Sequence, residues 1–365
     1  MAKKRIAVLG ATGSIGSSTL DVLSRATDDF EVVLLSANKN SVKLAELKTK
    51  WPNAALSLAG KELLAAIADA GADLTVNGIS GAAGLEPSMA AIESGSSLAL
   101  ANKETIVMAG PLVLKRAKEK NVSVIPVDSE HSAVLHLTAA HGMDHIDEII
   151  LTASGGPFRN LSRSMMKHVR AAEALAHPTW DMGPKITIDS ASLANKGLEV
   201  IEAVHFFNVP PEKIKVVLNP QSIVHSMIRT KDGSVYASLA RPDMRFPIQQ
   251  ALYWPDIVSS GFAPLDFTSL RIEFSLPDTE RFPMLPLAYG AIKQGGFYPC
   301  AYNSANEEVV LAFLENKIHF MDIPEITKNV LNMDWGGNPD GVDSILSVHK
   351  RAGEAAKAYI ESIKE

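Results

Sequence analysis

The chain has 365 residues, of which 46% are hydrophobic and 21% are charged, and its formal net charge is −6. This composition is typical of a globular protein and excludes a disordered one, and the length predicts two or three domains. The acidic balance, with no long basic run, argues against nucleic-acid binding.

Cysteine usage and the N-terminal sequence bear on the cellular compartment. The only cysteine, Cys300, excludes an internal disulfide, fits a reducing compartment and argues against a thiolate zinc site. The segment MAKKRIAVLG runs directly into a predicted core strand. No apolar signal segment precedes that strand, and no apolar run of membrane-spanning length follows it. We therefore expect a cytoplasmic protein that does not bind membranes.

The first predicted unit is a strand, a glycine-rich turn and a helix. Residues 5–9 (RIAVL) are continuously apolar, as in buried parallel strands, and lead into GATGSIG and the helical pattern STLDVLSRA. This order is typical of a phosphate-binding βα unit. The glycine spacing is GxxGxxG, so the pattern predicts dinucleotide binding, with an ordinary tight turn as the alternative.

The end of the second predicted strand indicates which nicotinamide cofactor is bound. Residues 30–36 (FEVVLLS) lead into Ala37, Asn38, Lys39 and Asn40, where an NAD site usually has an acidic residue for the ribose 2′-hydroxyl. No acid is present, and Lys39 would favour a 2′-phosphate. The sequence therefore favours NADPH, although surface lysines after strands are common.

Further strand and helix patterns alternate up to about residue 127. The segments AALSLAG, DLTVNGISG, SSLALANKE and VSVIPVD predict four more strands of a doubly wound parallel sheet. One of them ends in Asn102, Lys103 and Glu104, at the sheet edge where ligands bind in such folds. The same residues could also be the solvated start of a helix.

Two carboxylates follow the last of these strands. Asp128 and Glu130 are one residue apart in the segment DSEH, and both could reach one cation from an irregular turn. Oxygen ligands suit Mg²⁺ or Mn²⁺, and a third carboxylate from Glu199 would complete a plausible site. The alternative is a helix N-terminus that carries acidic residues.

A second domain is predicted from residue 146. The strand EIILTA leads into Ser154 and two glycines, which leave room for a ligand to approach backbone N–H groups. The proline-bracketed segment AHPTWDMGP predicts either a functional lid or a poorly ordered loop, and His177 would be placed for a substrate contact. An ordinary turn and a surface histidine are the alternatives.

Residues 185–203 (KITIDSASLANKGLEVIEA) predict a short strand, KITI, and then a helix capped within 189–192. The first turn of a helix suits an anion, phosphate best, and Ser190, Asn195 and Lys196 would add a hydroxyl, an amide and a cation. Glu199 lies one turn further along. An amphipathic surface helix with a serine cap is the alternative.

The rest of the sequence completes the predicted architecture. Strands at 215–218, 223–228 and 235–239 form a small sheet, residues 241–247 form a loop, and helical periodicity returns from residue 284. The predicted fold is α/β, with a Rossmann-like doubly wound parallel sheet, a central α/β domain and a C-terminal helical bundle. The predicted parts are a cofactor domain at 1–127, a catalytic domain at 128–253 with a lid at 176–185, a connector at 254–283 and a helical domain at 284–365.

Taken together, several motifs resemble one family, the 1-deoxy-D-xylulose 5-phosphate reductoisomerases. The motifs are GATGSIGSSTLDVL, ANKE, VDSEH, LTASGGPF, HPTWDMG, KITIDSASLANKGLEVIEA, RPDMRFPI and NSANEEVV, and they span nearly the whole chain. The resemblance implies an NADPH- and divalent-metal-dependent enzyme of isoprenoid precursor synthesis, usually a homodimer and inhibited by fosmidomycin-type compounds. It would convert 1-deoxy-D-xylulose 5-phosphate to 2-C-methyl-D-erythritol 4-phosphate by skeletal rearrangement and then hydride reduction.

The resemblance also implies roles for individual residues. Asp128, Glu130 and Glu199 resemble the metal ligands. The implied substrate contacts are Lys103, Ser129, Glu130, Ser154, His177, Ser190, Asn195, Lys196 and Glu199, with Ser154, Ser190, Asn195 and Lys196 on the phosphate. The implied cofactor contacts are Thr12, Gly13, Ser14, Ile15, Asn38, Lys39, Asn40, Asn102, Glu104 and Gly183. The family often has glycine where Asn38 stands, and Asp181 receives no role.

Two other functions fit parts of the sequence. A semialdehyde dehydrogenase could share the glycine turn, but it needs a cysteine nucleophile, and Cys300 lies far along the chain from the βα motifs. A non-catalytic NADPH-binding sensor is the other alternative. A sensor needs no metal ion, so this function would not account for the carboxylates of Asp128, Glu130 and Glu199.

Overall fold

The computed structural model describes residues 2–176, 179–180 and 182–363. The described strands are β1 (Lys4–Leu9), β2 (Phe30–Ala37), β3 (Ala55–Leu58), β4 (Leu74–Asn77), β5 (Ser97–Leu100), β6 (Val124–Pro126), β7 (Ile146–Ala153), β8 (Ile214–Leu218), β9 (Val224–Thr230) and β10 (Val235–Leu239). The described helices are α1 (Ser14–Arg25), α2 (Ser41–Lys50), α3 (Lys61–Asp69), α4 (Leu85–Glu93), α5 (Lys103–Glu119), α6 (Ser129–His141), α7 (Arg163–Met166), α8 (Ala171–Ala174), α9 (Pro184–Ser192), α10 (Ala194–Phe207), α11 (Arg245–Tyr253), α12 (Met284–Gln294), α13 (Tyr298–Leu314), α14 (Asp322–Leu331) and α15 (Val342–Ser362).

Contacts group the described chain into two compact units. The first comprises the residues up to Thr105 together with Pro111–Leu135 and Asp243–Ala263. The second comprises Ile106–Gly110, His136–Pro242 and the residues from Pro264 onward. The predicted division at 127, 253 and 283 stays a prediction.

The first unit is built around a six-stranded parallel sheet. Its strand order is β3-β2-β1-β4-β5-β6, the order of a doubly wound dinucleotide-binding fold. The central strand β1 pairs with β2 and β4, so that Ile6 lies opposite Val32 and Leu74. Helices cover both faces of such a sheet, and Ile6 is accordingly fully buried. The predicted fold class is confirmed.

Helix α11 belongs to the first unit, although the sequence analysis assigned residues 241–247 to a loop. That prediction holds for residues 241–244 and was wrong for 245–247. Pro247 stands in the first turn of the helix, where no backbone donor is required. Ile248 and Leu252 are buried in the core of the first sheet, and α11 packs against α1. Burial of this apolar face stabilises a helix that the local sequence does not indicate.

The second unit contains a four-stranded mixed sheet in the order β10-β9-β7-β8. Strand β7 is parallel to β8 and antiparallel to β9, with Ile149 opposite both Ile214 and Ile228. The three strands predicted after the central helix are therefore confirmed, with small changes in their ends. Residues 254–283 contain no helix and no strand longer than an isolated bridge at Ser275.

The segment KITI is helical, not a strand. Pro184 occupies the first position of α9, where its fixed φ favours a helix, and the Thr187 hydroxyl donates to the carbonyl of Gly183 at 2.9 Å. One face of α9 is buried against α10 and α13. The tertiary contacts outweigh the small helix penalty of the β-branched residues Ile186, Thr187 and Ile188, about 0.5 kcal/mol each.

The C-terminal helices pack around α13, as predicted, with α12, α14 and α15 against it. Trp335 is fully buried and donates its indole N–H to the carbonyl of Val330 at 2.7 Å. Cys300 is also buried, with its sulfur 3.5 Å from the carbonyl oxygen of Ile345. Burial raises the pKa of the Cys300 thiol to about 12. Among the helices that the structure describes, none has both the length and the hydropathy needed to span a membrane.

Candidate active site

The glycine turn after β1 depends on close backbone contacts in the first unit. Gly10 has φ +74°, and a Cβ atom there would lie 2.8 Å from the carbonyl oxygen of Gly78. A Cβ atom at Gly16 would lie 2.3 Å from the carbonyl oxygen of Gly10. Only glycine fits at either position, so the turn brings α1 directly against the end of β1.

The first turn of α1 is suited to an anion. Gly13 precedes the helix and has no side chain that could cap it, while Gly13 and Ser14 are exposed and Thr12 and Ile15 are partly buried. The first N–H groups of a helix have no intrahelical acceptor and lie at the positive end of its dipole. The four predicted pyrophosphate contacts therefore lie where a phosphate can reach backbone donors.

The predicted 2′-phosphate residues Asn38, Lys39 and Asn40 follow β2 and are all exposed. Asn40 also caps α2, because its side chain accepts a hydrogen bond from the Lys43 N–H at 3.0 Å. Lys43, which the sequence analysis missed, donates from Nζ to the carbonyl oxygen of Thr12 at 3.0 Å. The sequence offered one indication of this contact. Lys43 lies in the first turn of α2, directly after a segment that has no acidic residue for the ribose.

Asn102 anchors the start of α5. Its Oδ1 accepts from the Thr105 N–H at 2.9 Å, and its Nδ2 donates to the carbonyl of Ile79 at 2.8 Å and to Glu104 at 2.8 Å. Both Asn102 and Glu104 are buried. The predicted cofactor contacts at these positions therefore have structural partners inside the first unit.

Asn77 is a second buried amide that the sequence analysis missed. Its Nδ2 donates to the Gly84 carbonyl at 3.0 Å and to the Ser88 hydroxyl at 2.7 Å, and its Oδ1 accepts from the Ile79 N–H at 3.0 Å. It fixes the turn that Asn102 also contacts. A single amide at the end of an apolar strand was the signal in the sequence.

A partly buried ion pair joins the ends of β5 and β6. Lys103 Nζ contacts the carboxylate of Asp128, and the lysine is only 6% exposed. The second oxygen of Asp128 accepts from the Glu130 N–H at 3.2 Å, and the Ser129 hydroxyl contacts the Glu130 carboxylate. The structure thus brings four predicted site residues of the first unit together at the carboxyl edge of the sheet.

In the second unit, β7 leads into the turn that holds Ser154. The Ser154 hydroxyl accepts from the Gly156 N–H at 3.2 Å, and Gly155 and Gly156 both have positive φ. A Cβ atom at Gly156 would lie 2.8 Å from the carbonyl oxygen of Ser190. The absence of that atom therefore lets the Ser154 turn lie against the end of α9, where Ser190 stands.

Helices α9 and α10 meet at Leu193, which has the left-handed φ of +59°. The predicted cap within 189–192 was wrong, because these residues are the last turn of α9 and the N-cap of α10 is Leu193, whose side chain makes no capping hydrogen bond. The Ser192 hydroxyl accepts a hydrogen bond from the Ala194 N–H at 3.3 Å. Within α10, Asn195 donates from Nδ2 to Glu199 at 2.6 Å, and Lys196 Nζ contacts the other Glu199 oxygen. Lys196 and Glu199 are buried at 2% and 0% exposure, so each compensates the other's charge.

Parts of the predicted lid can be located. The Trp180 ring lies 6.4 Å from the His225 ring, centroid to centroid, and Gly183 is exposed as the residue before α9. His177, a predicted substrate contact, and Asp181 lie outside the described residues.

Models of one family match the chain in consecutive parts. The model for 1-deoxy-D-xylulose 5-phosphate reductoisomerase matches residues 6–62 and 53–110, and models for the C-terminal domains of the same enzyme match residues 124–207 and 239–355. The reductoisomerase of Treponema denticola is 46% identical over 99% of this chain and 98% of its own length. The chain belongs to the 1-deoxy-D-xylulose 5-phosphate reductoisomerase family.

Solved structures agree with this family membership. The reductoisomerase of Zymomonas mobilis, solved in complex with NADPH, superposes with a TM-score of 0.92 and 40% identity over 99% of this chain and all of the other. A reductoisomerase solved with NADPH, fosmidomycin and magnesium also gives a TM-score of 0.92, at 36% identity over 99% of both chains. The resemblance drawn from the motifs is confirmed.

Proposed function

We propose that the chain converts 1-deoxy-D-xylulose 5-phosphate to 2-C-methyl-D-erythritol 4-phosphate, with NADPH as the hydride donor. The observation that carries this proposal is that reductoisomerases match the chain over essentially its full length. The alternative of a cysteine-dependent semialdehyde dehydrogenase is disfavoured, because Cys300 is buried and its raised pKa of about 12 keeps the thiol protonated.

NADPH binding is assigned to the carboxyl edge of the first sheet. The pyrophosphate would contact the first turn of α1, at Thr12, Gly13, Ser14 and Ile15. The exposed residues Asn38, Lys39 and Asn40 would surround the 2′-phosphate, with the lysine supplying positive charge. Further contacts are proposed for Asn102, Glu104 and Gly183. A solved relative in complex with NADPH supports this assignment.

A divalent cation is assigned to Asp128, Glu130 and Glu199. Three carboxylates are a hard oxygen donor set that suits Mg²⁺ or Mn²⁺ and not zinc. A relative solved with magnesium supports the proposal. When bound, the cation would supply Lewis-acid polarisation of the substrate's ketone and hydroxyl oxygens.

The chain's own side chains would hold the substrate at both ends. Lys103 is buried, and its ammonium group would stabilise negative charge that develops on the substrate oxygens. The phosphate would contact Ser154, Ser190, Asn195 and Lys196. Binding energy from this remote phosphate could then help the lid, including His177, to exclude water from a reactive aldehyde. Ser129 is assigned a further substrate contact.

Three broader features also remain proposals. A homodimer is proposed from the family resemblance. A cytoplasmic location is supported by the use of a single, buried cysteine. The four-part division at residues 127, 253 and 283 follows the motif order, with the lid at 176–185.

The test is NADPH oxidation, followed by absorbance, with 1-deoxy-D-xylulose 5-phosphate as substrate. After chelation and dialysis we expect no turnover, and we expect turnover to return with Mg²⁺ or Mn²⁺ but not without metal. The Glu199→Gln variant should bind NADPH like the wild type and show no turnover. Tight NADPH binding by a wild-type protein that never oxidises it would favour the sensor alternative instead.

A further inference from the structure

A buried carboxylate outside the assigned contacts lies directly before Ser190. The Asp189 side chain is 1% exposed and lies on α9. Lys185, one turn earlier on the same helix, places Nζ 3.0 Å from Asp189 Oδ2. Asn306, which is fully buried on α13, donates from Nδ2 to Asp189 Oδ1 at 2.7 Å. Each oxygen of the carboxylate therefore has a donor.

A buried charge of this kind is not the simplest way to stabilise a helix contact. Removing a carboxylate from water is costly, and a well-packed apolar group is often at least as stabilising as a buried ion pair. A hydrogen-bonded charge does, however, fix orientation, because its partners must lie at defined distances and angles. The arrangement favours a role in orientation over a role in stability alone.

The elements that Asp189 orients carry the proposed phosphate contacts. Ser190 is the next residue, and α9 ends two residues later at Ser192. The left-handed residue Leu193 then leads into α10, whose second and third residues are Asn195 and Lys196. A left-handed non-glycine residue is strained and persists only where its surroundings determine it. The fixed position of α9 against α13 is one such determinant.

The Lys185–Asp189 ion pair lies at the end of the predicted lid. Helix α9 begins at Pro184, and Lys185 is its second residue, partly exposed at 27% of its side chain. The Lys185–Asp189 pair thus connects the last residues of the lid segment to the buried contact with Asn306. Part of the NSANEEVV motif, which no assigned contact uses, is thereby explained.

We propose that Asp189, held by Lys185 and Asn306, is a positioning residue for the substrate phosphate. It acts through Ser190 and the α9–α10 junction and does not itself touch the substrate. This inference rests on the proposed function for the identity of the substrate.

The main test compares the Michaelis constants of the wild type and of the Asn306→Leu variant. Leucine is similar in size to asparagine but cannot donate a hydrogen bond to Asp189. We expect KM for 1-deoxy-D-xylulose 5-phosphate to rise about tenfold, the effect of losing one hydrogen bond to a buried charge, while KM for NADPH stays within about twofold. The inhibition constant of inorganic phosphate should rise by a similar factor. Equal rises for substrate and NADPH would overturn the proposal, as would no change in either.

Two further variants separate positioning from folding. Lys185→Met removes the partly exposed donor, is less disruptive, and should raise KM for the substrate about threefold. Thr327→Val is the matched control, because it removes a buried hydroxyl on α14 that bonds to Ile323 and not to Asp189. It should lower the melting temperature and leave both Michaelis constants unchanged. A control that shifted KM for the substrate as much as Asn306→Leu would contradict a specific role.

Combining Asn306→Leu with Lys196→Ala gives an independent check. Because both act through the phosphate, their effects on substrate affinity should be less than additive. Failure of the proposed function is recognised separately, as absence of wild-type turnover. In that event we would measure how much inorganic phosphate raises the melting temperature of each protein. A smaller rise in Asn306→Leu than in wild type supports the positioning role of Asp189, and equal rises overturn it.

Discussion

The glycine turn of the first unit and the α9–α10 junction of the second are both assigned to phosphate groups, but they are built differently. At the glycine turn, the donors are backbone N–H groups, and missing side chains at Gly10 and Gly16 bring them into place. At the α9–α10 junction, buried polar side chains surround the site, namely Asp189, Lys196 and Glu199. The glycine turn requires that no side chain separates the backbone segments, whereas the α9–α10 junction requires that each buried charge has a partner of opposite charge or a hydrogen bond.

This difference predicts opposite sensitivities. Added atoms should damage the glycine turn, whereas deleted polar groups should damage the junction. The following variants test that contrast, beginning with the largest expected effect.

Gly16→Ala should be the most damaging change, because its Cβ atom would lie 2.3 Å from a carbonyl oxygen and 2.5 Å from the Ala11 Cα. Backbone cannot move aside cheaply, so we expect NADPH affinity to fall at least about 100-fold and stability to fall by about 1–3 kcal/mol. Fluorescence titration with NADPH and thermal melting measure the two effects. Gly290→Ala is the control, because nothing lies within 4 Å of the added atom; normal NADPH binding by Gly16→Ala would contradict the steric argument.

Lys196→Ala should weaken the junction by deletion. The substitution removes the proposed phosphate cation and also a charged partner of the buried Glu199. We expect KM for the phosphorylated substrate to rise about 10- to 100-fold, as for a lost charged hydrogen bond, with NADPH affinity nearly unchanged. Steady-state kinetics with each substrate varied in turn provide the measurement. The exposed Lys213→Ala serves as control, and a similar loss of affinity for both ligands would exclude the phosphate role.

Lys39→Ala tests the part of the cofactor site that does depend on a side chain. Because the lysine is proposed to contact the 2′-phosphate, KM for NADPH should rise about tenfold, while KM for NADH should not change. The ratio of the two constants is the informative quantity. An unchanged preference between the two cofactors would remove Lys39 from the 2′-phosphate site.

Lys43→Met should give the smallest effect, because this lysine holds the turn through the Thr12 carbonyl at 3.0 Å rather than through a cofactor group. We expect KM for NADPH and for NADH to rise together, by about threefold, as for the loss of one exposed hydrogen bond. A rise for NADPH alone would instead assign Lys43 to the 2′-phosphate.

The contrast also explains what the sequence could predict. The sheet and the glycine turn depend on short-range patterns, namely apolar strands and glycines at fixed spacing, and both were predicted correctly. The helical state of KITI was not, because it depends on burial against α13, more than 100 residues further along the chain. Asn306 and Asp189 are 117 positions apart, and no local pattern connects them.

Helix α11 and the site residues show the same limit. Residues 245–247 were predicted as part of a loop. The helix is evident only from the tertiary structure, in which Ile248 and Leu252 are buried in the core of the first sheet. Lys103, Asp128 and Glu130 were recognisable as candidates from their place after two strands. The ion pair and hydrogen bonds among them could not be predicted, because these contacts depend on β5 and β6 being neighbours in the sheet.

The buried Cys300 has a practical consequence for labelling experiments. Since the chain has no other cysteine, and burial raises the pKa of this thiol to about 12, native protein should react only slowly with maleimides. A cysteine introduced at an exposed position outside the assigned contacts, for example Leu276→Cys or Leu311→Cys, would then be the single reactive thiol. Fluorophores could be attached at either position without first removing a native residue, and ligand-induced changes there could be followed in solution.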